Sequence, residues 1–195
     1  MGSDVNLAEK DLYEIRWHGR GGQGAVTSSK ILADAGFRSG FAGVTGAPSF
    51  GAERRGAPVT ASTRLSHEPI RVFSQVTEPD VVVVLDDSLL DVVGATAGLR
   101  SGGTLVVNTT RSPEELGVSG GVRVVTSDVT GAAQAVDLIV GGQPMVSTAI
   151  LGALARATGL ITMESVEAAI GAAFSGSAAK KNIEAAQIAY ECTRG

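Results

Sequence analysis

Cysteine is nearly absent from this chain. Cys192 stands alone among 195 residues, which excludes an internal disulfide and any iron–sulfur cluster held by this chain by itself, since a cluster draws on about four thiolates. Histidine is almost as scarce, and neither His18 nor His67 has a second ligand at metal-site spacing, so no metal site is expected. Aromatic residues make up only 4%, too few for the stacking platform that single-stranded nucleic acid needs, so no nucleic-acid partner is expected. No apolar run approaches the roughly 20 residues of a membrane span. The opening residues, Met1 to Asp11, are polar and acidic, unlike a signal peptide. Met1-Gly2 begins as a myristoylation signal begins, but Asn6 stands where that motif requires Ser or Thr. Together these absences point to a cytoplasmic chain. There is also no Gly-Lys-Ser/Thr of a P-loop, no Ser/His/Asp arrangement and no paired-carboxylate machinery.

What remains is an ordinary globular composition, 44% hydrophobic and 18% charged with 26 glycines, in a length suited to one domain with a sizeable core. The net charge of −4 is unevenly spread. Residues 16–75 carry eight Lys/Arg against three Asp/Glu, and the excess acid lies elsewhere. A basic stretch on an acidic protein fits an anionic ligand or an acidic partner surface, and scattered solvated arginines fit it equally.

The pattern along the chain predicts alternating strands and helices. Residues 11–18 read as a strand, a glycine burst follows at 19–24, and Ala25 to about Ala35 reads as a helix stopped by Gly36. Residues 40–58 are so punctuated by glycine and proline that no single regular element is expected there. Strands are predicted at 59–65, 69–72, 81–85, 104–108 and 122–126, with helices at 88–99 and about 130–137. The last third reads as three helices, 144–158, 163–174 and 178–192, with Thr162 and Ser177 as caps and Gly159 and Gly176 as stops. The expected fold is α/β: a single three-layer Rossmann-like domain with a mostly parallel sheet and a helical C-terminal third. Residues 1–12 form an N-terminal extension and 13–195 the domain.

Gly19-Arg20-Gly21-Gly22-Gln23-Gly24, between a strand and a helix, matches the dinucleotide fingerprint in context. Glycines there let a phosphate approach helix N–H groups and the positive dipole end, while Arg20 and Lys30 add charge. The acid that would hold a nicotinamide ribose is missing: residues 41–46 carry no carboxylate. The glycines serve equally well for tight strand–helix packing and subunit contact. A second candidate is Glu53-Arg54-Arg55-Gly56, a carboxylate beside two guanidiniums in a Gly/Pro-framed loop, suited to anion binding or to an ion-paired interface. Asp86 and Asp87 fall at a strand's carboxyl end, where open α/β sheets present their sites, although capping explains them too. His18 is expected to be structural, His67 a turn residue and Cys192 inert.

Three ordered blocks, residues 14–25, 50–59 and 79–86, resemble the γ subunit of the pyruvate:ferredoxin / 2-oxoacid:acceptor oxidoreductase family, and the likeness runs from about residue 13 to the C-terminus. The Glu-Arg-Arg-Gly-Ala-Pro form of the second block looks closer to the pyruvate or branched-chain branch. The approach to it, Gly43 to Ser49, is glycine-richer than the family pattern. The resemblance implies a multi-subunit enzyme that decarboxylates a 2-oxoacid such as pyruvate, a branched-chain or an aromatic acid to acyl-CoA and CO2, with electrons passing to ferredoxin or a similar acceptor. It implies that thiamine diphosphate, Mg2+ and [4Fe-4S] clusters sit in α-, β- and δ-type partner subunits, with coenzyme A as cosubstrate, and that this chain is not active alone. By the same resemblance Gly21, Gly22, Gln23, Gly24 and Lys30 would face coenzyme A, and Glu53, Arg54 and Arg55 would lie toward an interface. Two alternatives stand beside this: a free-standing NAD-type reductase, which would bind NAD(H) saturably, and a non-enzymatic α/β binding module, which would co-purify with other partners.

Overall fold

The computed structural model describes residues 9–49, 55–72 and 74–195. Glu53 and Arg54 of the predicted anion loop lie outside the described residues. Among those described, strands β1 (Leu12–Arg20), β2 (Gly43–Pro48), β3 (Pro58–Ser66), β4 (Val81–Val84), β5 (Thr104–Asn108) and β6 (Arg123–Ser127) form one sheet in the order β2-β3-β1-β4-β5-β6. β1, β4, β5 and β6 run parallel, while β3 is antiparallel to both β1 and β2. The helices are α1 (Ala25–Arg38), α2 (Leu89–Val92), α3 (Val129–Ala135), α4 (Val146–Thr158), α5 (Met163–Ala173) and α6 (Gly176–Glu191). A small hairpin, β7 (Ile139–Val140) and β8 (Gln143–Pro144), precedes α4.

The expected α/β architecture is realised, with outer layers of unequal weight. Tyr13, Ile15 and Trp17 alternate onto one face of β1, where with Val83, Val106 and Val125 they meet α1, α3, α4, α5 and α6 in the main core. Trp17 is fully buried, and its indole N–H donates to the Thr63 hydroxyl, which donates in turn to the Ser29 carbonyl. On the other face Val82, Val84, Leu105 and Val107 are covered, among the described residues, by α2, a string of turns and a one-turn 3-10 helix at Glu114–Leu116. Burial on both faces explains why β4 reads as a continuous Val run.

Several sequence expectations are corrected. Residues 43–48 are a strand, not irregular chain: β2 is an edge strand, which tolerates Pro48 at its end, and its glycines admit close backbone approach. A Cβ on Gly46 would come within 2.5 Å of the Ser29 carbonyl oxygen on α1, so the glycine-rich approach noted above serves strand–helix packing. Residues 69–72 form no strand; Arg64 holds this stretch by donating to the Val72 and Ser74 carbonyls. The helix expected at 88–99 is one turn long, because Gly94 and Gly98 adopt φ of +56° and +76° and convert the rest to turns. Gly36 does not stop α1, which continues to Arg38, with Gly36 packed against Leu65. Thr162 caps α5 by accepting from the Ser165 N–H, and Gly159 ends α4 in the left-handed conformation, both as expected. Ser175, not Ser177, precedes α6.

Candidate ligand site at the glycine turn

Four parallel strands end on the same side of the sheet, and their carboxyl ends with the following loops enclose a cavity of about 1120 Å³. This is where open α/β sheets bind ligands. Gly21, Gly22 and Gln23 line it after β1, Asp86 and Asp87 after β4, Asn108 to Thr110 after β5, and Asp128 and Thr130 after β6. The β7–β8 hairpin supplies its apolar side, with Val140 61% exposed at the tip.

Gly22 and Gly24 have φ of +95° and +82°, which lets the chain turn from β1 directly into α1. Gly19 permits close packing: a Cβ there would lie 3.1 Å from Leu85 Cδ1 and 3.3 Å from Ala25 Cβ. The turn is locked from inside by Asp86. Its Oδ2 accepts from Arg20 Nε at 3.0 Å and from Gln23 Nε2 at 3.2 Å, while Gln23 Oε1 accepts from the Arg20 N–H at 2.7 Å. Arg20 also donates to the Ser88 hydroxyl and the Gly56 carbonyl. Burial works to raise the Asp86 carboxyl, but hydrogen bonds from Ser88, Gln23 and Arg20 outweigh it and hold the group below the usual carboxylate range.

The remaining wall is equally ordered. Asp87 Oδ2 accepts from the Thr109 hydroxyl and from Arg111. Asn108 donates to the Leu85 carbonyl and the Thr130 hydroxyl and accepts from the Thr130 N–H, tying β5 to β4 and α3. Asp128 caps α3 by accepting from the Gly131 N–H at 2.8 Å. Arg55 enters at the rim: it pairs with Gly21 in a single parallel bridge, flanked by Gly21 N–H to the Ala57 carbonyl at 2.8 Å and Gly56 N–H to the Gly21 carbonyl at 3.0 Å.

The predicted site residues therefore separate. Gly21, Gly22, Gln23 and Arg55 line one cavity, with Asp86 and Asp87 beside them. Gly24 sits behind it against Ser147 of α4. Lys30 is exposed on α1 with its backbone against Gly46 of β2, outside the lining. At about 1.5 Å of rise per residue it lies roughly 9 Å beyond Gly24 along the helix. Asn108, Thr109, Thr130 and the hairpin were not singled out from the sequence. The polar ends of β5 and β6 obey the same strand-end rule that drew attention to Asp86, but the hairpin carries no comparable signal.

The histidines are occupied otherwise. His18 is buried, and His67 stacks on Phe41 with ring centroids 4.8 Å apart. Burial first, and the Arg16 charge second, lower the His18 pKa to about 4. A nicotinamide ribose gains no acid from the strand that follows α1, because β2 lies at the sheet edge, separated from β1 by β3.

Residues 14–192 match the family profile described as pyruvate ferredoxin/flavodoxin oxidoreductase. The "Pyruvate/ketoisovalerate oxidoreductases common subunit gamma" of Thermococcus kodakarensis is 53% identical over 186 residues, covering 93% of this chain and 97% of that protein. "Pyruvate synthase subunit PorC" of Methanothermobacter thermautotrophicus is 48% identical over 180 residues, covering 92% and 95%. The crystal structure of pyruvate oxidoreductase subunit PORC from Thermotoga maritima superimposes with a TM-score of 0.80 at 34% identity, covering 95% of this chain and 98% of that one. By profile, sequence and fold together, this chain belongs to the pyruvate ferredoxin/flavodoxin oxidoreductase family.

Proposed function

We propose that this chain is the γ-type subunit of a multi-subunit pyruvate or 2-oxoacid oxidoreductase of the ferredoxin-linked kind, inactive by itself. The observation that carries this reading is end-to-end likeness to single subunits of such enzymes: the two matched subunits are covered over 97% and 95% of their own lengths. The [4Fe-4S] clusters are assigned to β- and δ-type partners, because one thiol falls short of the roughly four a cluster requires, and the family likeness assigns thiamine diphosphate with Mg2+ to the α- and β-type partners. Bound there, thiamine diphosphate supplies the carbanion-stabilising chemistry of oxidative decarboxylation. This chain's share is to bind and orient.

The large cavity is assigned to coenzyme A. The glycine turn offers phosphate a backbone free of Cβ atoms, Arg55 brings a cation at the rim, and Val140, Met145 and Val146 offer apolar surface to the rest of a long cosubstrate. Arg20 and Gln23 act indirectly, holding the turn through Asp86. Lys30 has no part in it.

Two measurements test this. The tagged chain purified from its source is expected to bring thiamine- and cluster-bearing subunits, whereas turnover by the chain alone overturns the reading. In the assembled enzyme, Arg55→Ala is expected to raise KM for coenzyme A by about three- to tenfold, the size of one charge-assisted contact, with KM for the 2-oxoacid unchanged. Lys30→Ala is expected to change neither. An unchanged coenzyme A KM in Arg55→Ala removes the cavity assignment and leaves the subunit assignment standing.

A further inference from the structure

A second cavity, of about 440 Å³, lies on the opposite, helix-poor face of the sheet. The antiparallel register of β1 and β3 pairs His18 with Thr60 and Arg16 with Ser62, so these four side chains form one patch. Ser49 and Gln75 line it as well, and none of the described lining residues is acidic.

Two groups in this patch lack a complement. The first is Arg16. Its neighbours on this face are paired: Arg64 with Glu14 at 2.8 Å, and Arg100 with Glu78 and Asp80 at 3.6 and 3.7 Å. The half-buried Arg16 has no carboxylate partner among the described residues and donates only to the carbonyls of Thr77, Ala95 and Ala97 and to His18. Burial lowers its pKa, as expected of a cation without a counter-ion. The second is His18, only 6% exposed. Its Nε2 accepts from Arg16 Nε at 3.0 Å. Arginine is always a donor, so the neutral ring must carry its proton on Nδ1. That N–H has no acceptor among the described residues, and His18 lines the cavity. The hydroxyls of Ser49, Thr60 and Ser62 and the Gln75 amide likewise make no hydrogen bond to a described residue.

We propose that this cavity binds a carboxylate group, with Arg16 as counter-ion and His18 Nδ1–H, Thr60 and Ser62 as hydrogen-bond donors. A neutral ligand would leave the guanidinium uncompensated. A phosphate dianion would bring a second charge that no lining cation balances. The carboxylate comes either from a free small molecule or from an acidic side chain of a partner subunit. This site is separate from the glycine-turn cavity, and its first test is read on this chain alone, so its failure is distinguishable from failure of the proposed function.

The test uses the full chain with 15N-labelled histidine in chloride buffer at fixed ionic strength, titrated with sodium acetate and, in parallel, with uncharged acetamide. The His18 Nδ1–H resonance is expected to move saturably with acetate and not with acetamide. Arg16→Gln is expected to weaken the response about tenfold or more, and Ser62→Ala, which disturbs no existing hydrogen bond, about threefold. In the assembled complex, saturation transfer to the acetate methyl distinguishes the sources: retained transfer identifies a free carboxylate, and its loss identifies a partner side chain already in place. A flat titration, an equal response to acetamide, or indifference to both Arg16→Gln and Ser62→Ala overturns the proposal. So does a response that emerges only in Glu53→Gln, which would mean that the chain's own carboxylate fills the place.

Discussion

Gly152 sits inside α4, where intrinsic propensity favours alanine over glycine by about 1 kcal/mol. The structure predicts the opposite sign. A Cβ at this position would overlap the Ala186 carbonyl oxygen of α6 and lie 2.8 Å from the Ala186 carbonyl carbon and 3.1 Å from the Tyr190 nitrogen. All three obstacles are backbone atoms, so no rotamer change relieves them. Relief requires α6 to move away, and α6 is anchored by the fully buried Ala185, Ala186 and Ala189 and by the buried hydrogen bond from Thr148 to Asn182. Overpacking of this kind costs about 3 kcal/mol at the upper end of its usual range. After the propensity gain, Gly152→Ala should lose about 2 kcal/mol, or roughly 4–8 °C in Tm for a chain of this size. The internal control is Gly171→Ala on α5, where the added Cβ meets nothing within 4 Å. It should gain about 0.5–1 kcal/mol. Urea unfolding followed by circular dichroism, with m-values checked for constancy, measures both. If Gly152→Ala proves as stable as Gly171→Ala, the close α4–α6 approach is not what fixes glycine there.

Gly22→Ala and Gly24→Ala form a second pair. Both residues have positive φ, costing about 1–2 kcal/mol each, but only Gly24 would also push a Cβ to 2.8 Å from Ser147 Cβ. Gly24→Ala should be the more destabilised by about 1–3 kcal/mol in the same urea assay; equal losses would refute the packing role. For His18, the folded pKa of about 4 lies below its ordinary value of 6.5, so between those pH values the unfolded chain binds a proton that the folded chain refuses. Stability should therefore fall as pH drops from 6.5 to 4, by about 3 kcal/mol more in the wild type than in His18→Gln. Parallel pH–stability curves for the two would refute it.

The glycine turn was legible because strand, turn and helix are local, and the left-handed conformations at Gly22 and Gly24 can be anticipated from spacing alone. Asp86 and Asp87 were legible for a similar reason, since a Val run followed by acids marks a strand's carboxyl end. Lys30 shows the limit of that reading. It is near the turn in sequence, but helix geometry carries it away from the cavity, while Arg55, 34 residues beyond Gly21, is brought back beside it by β3 pairing with β1. The missed strand β2 fails for a related reason: Gly43, Gly46 and Pro48 look like breakers until their position at the sheet edge, against α1, is known.

The sequence by itself determined the alternation of elements, the buried strands, the glycine turn and the shortage of thiolates for a cluster held by this chain alone, because each follows from local pattern or from ligand count. Only the tertiary structure decided that Asp86 locks Arg20 and Gln23, that Arg16 dictates the His18 tautomer, and that the two faces of the sheet are so unequally covered. Those facts depend on which strands become neighbours. Strand order is set by the summed burial of the whole sheet, a quantity that no segment carries alone.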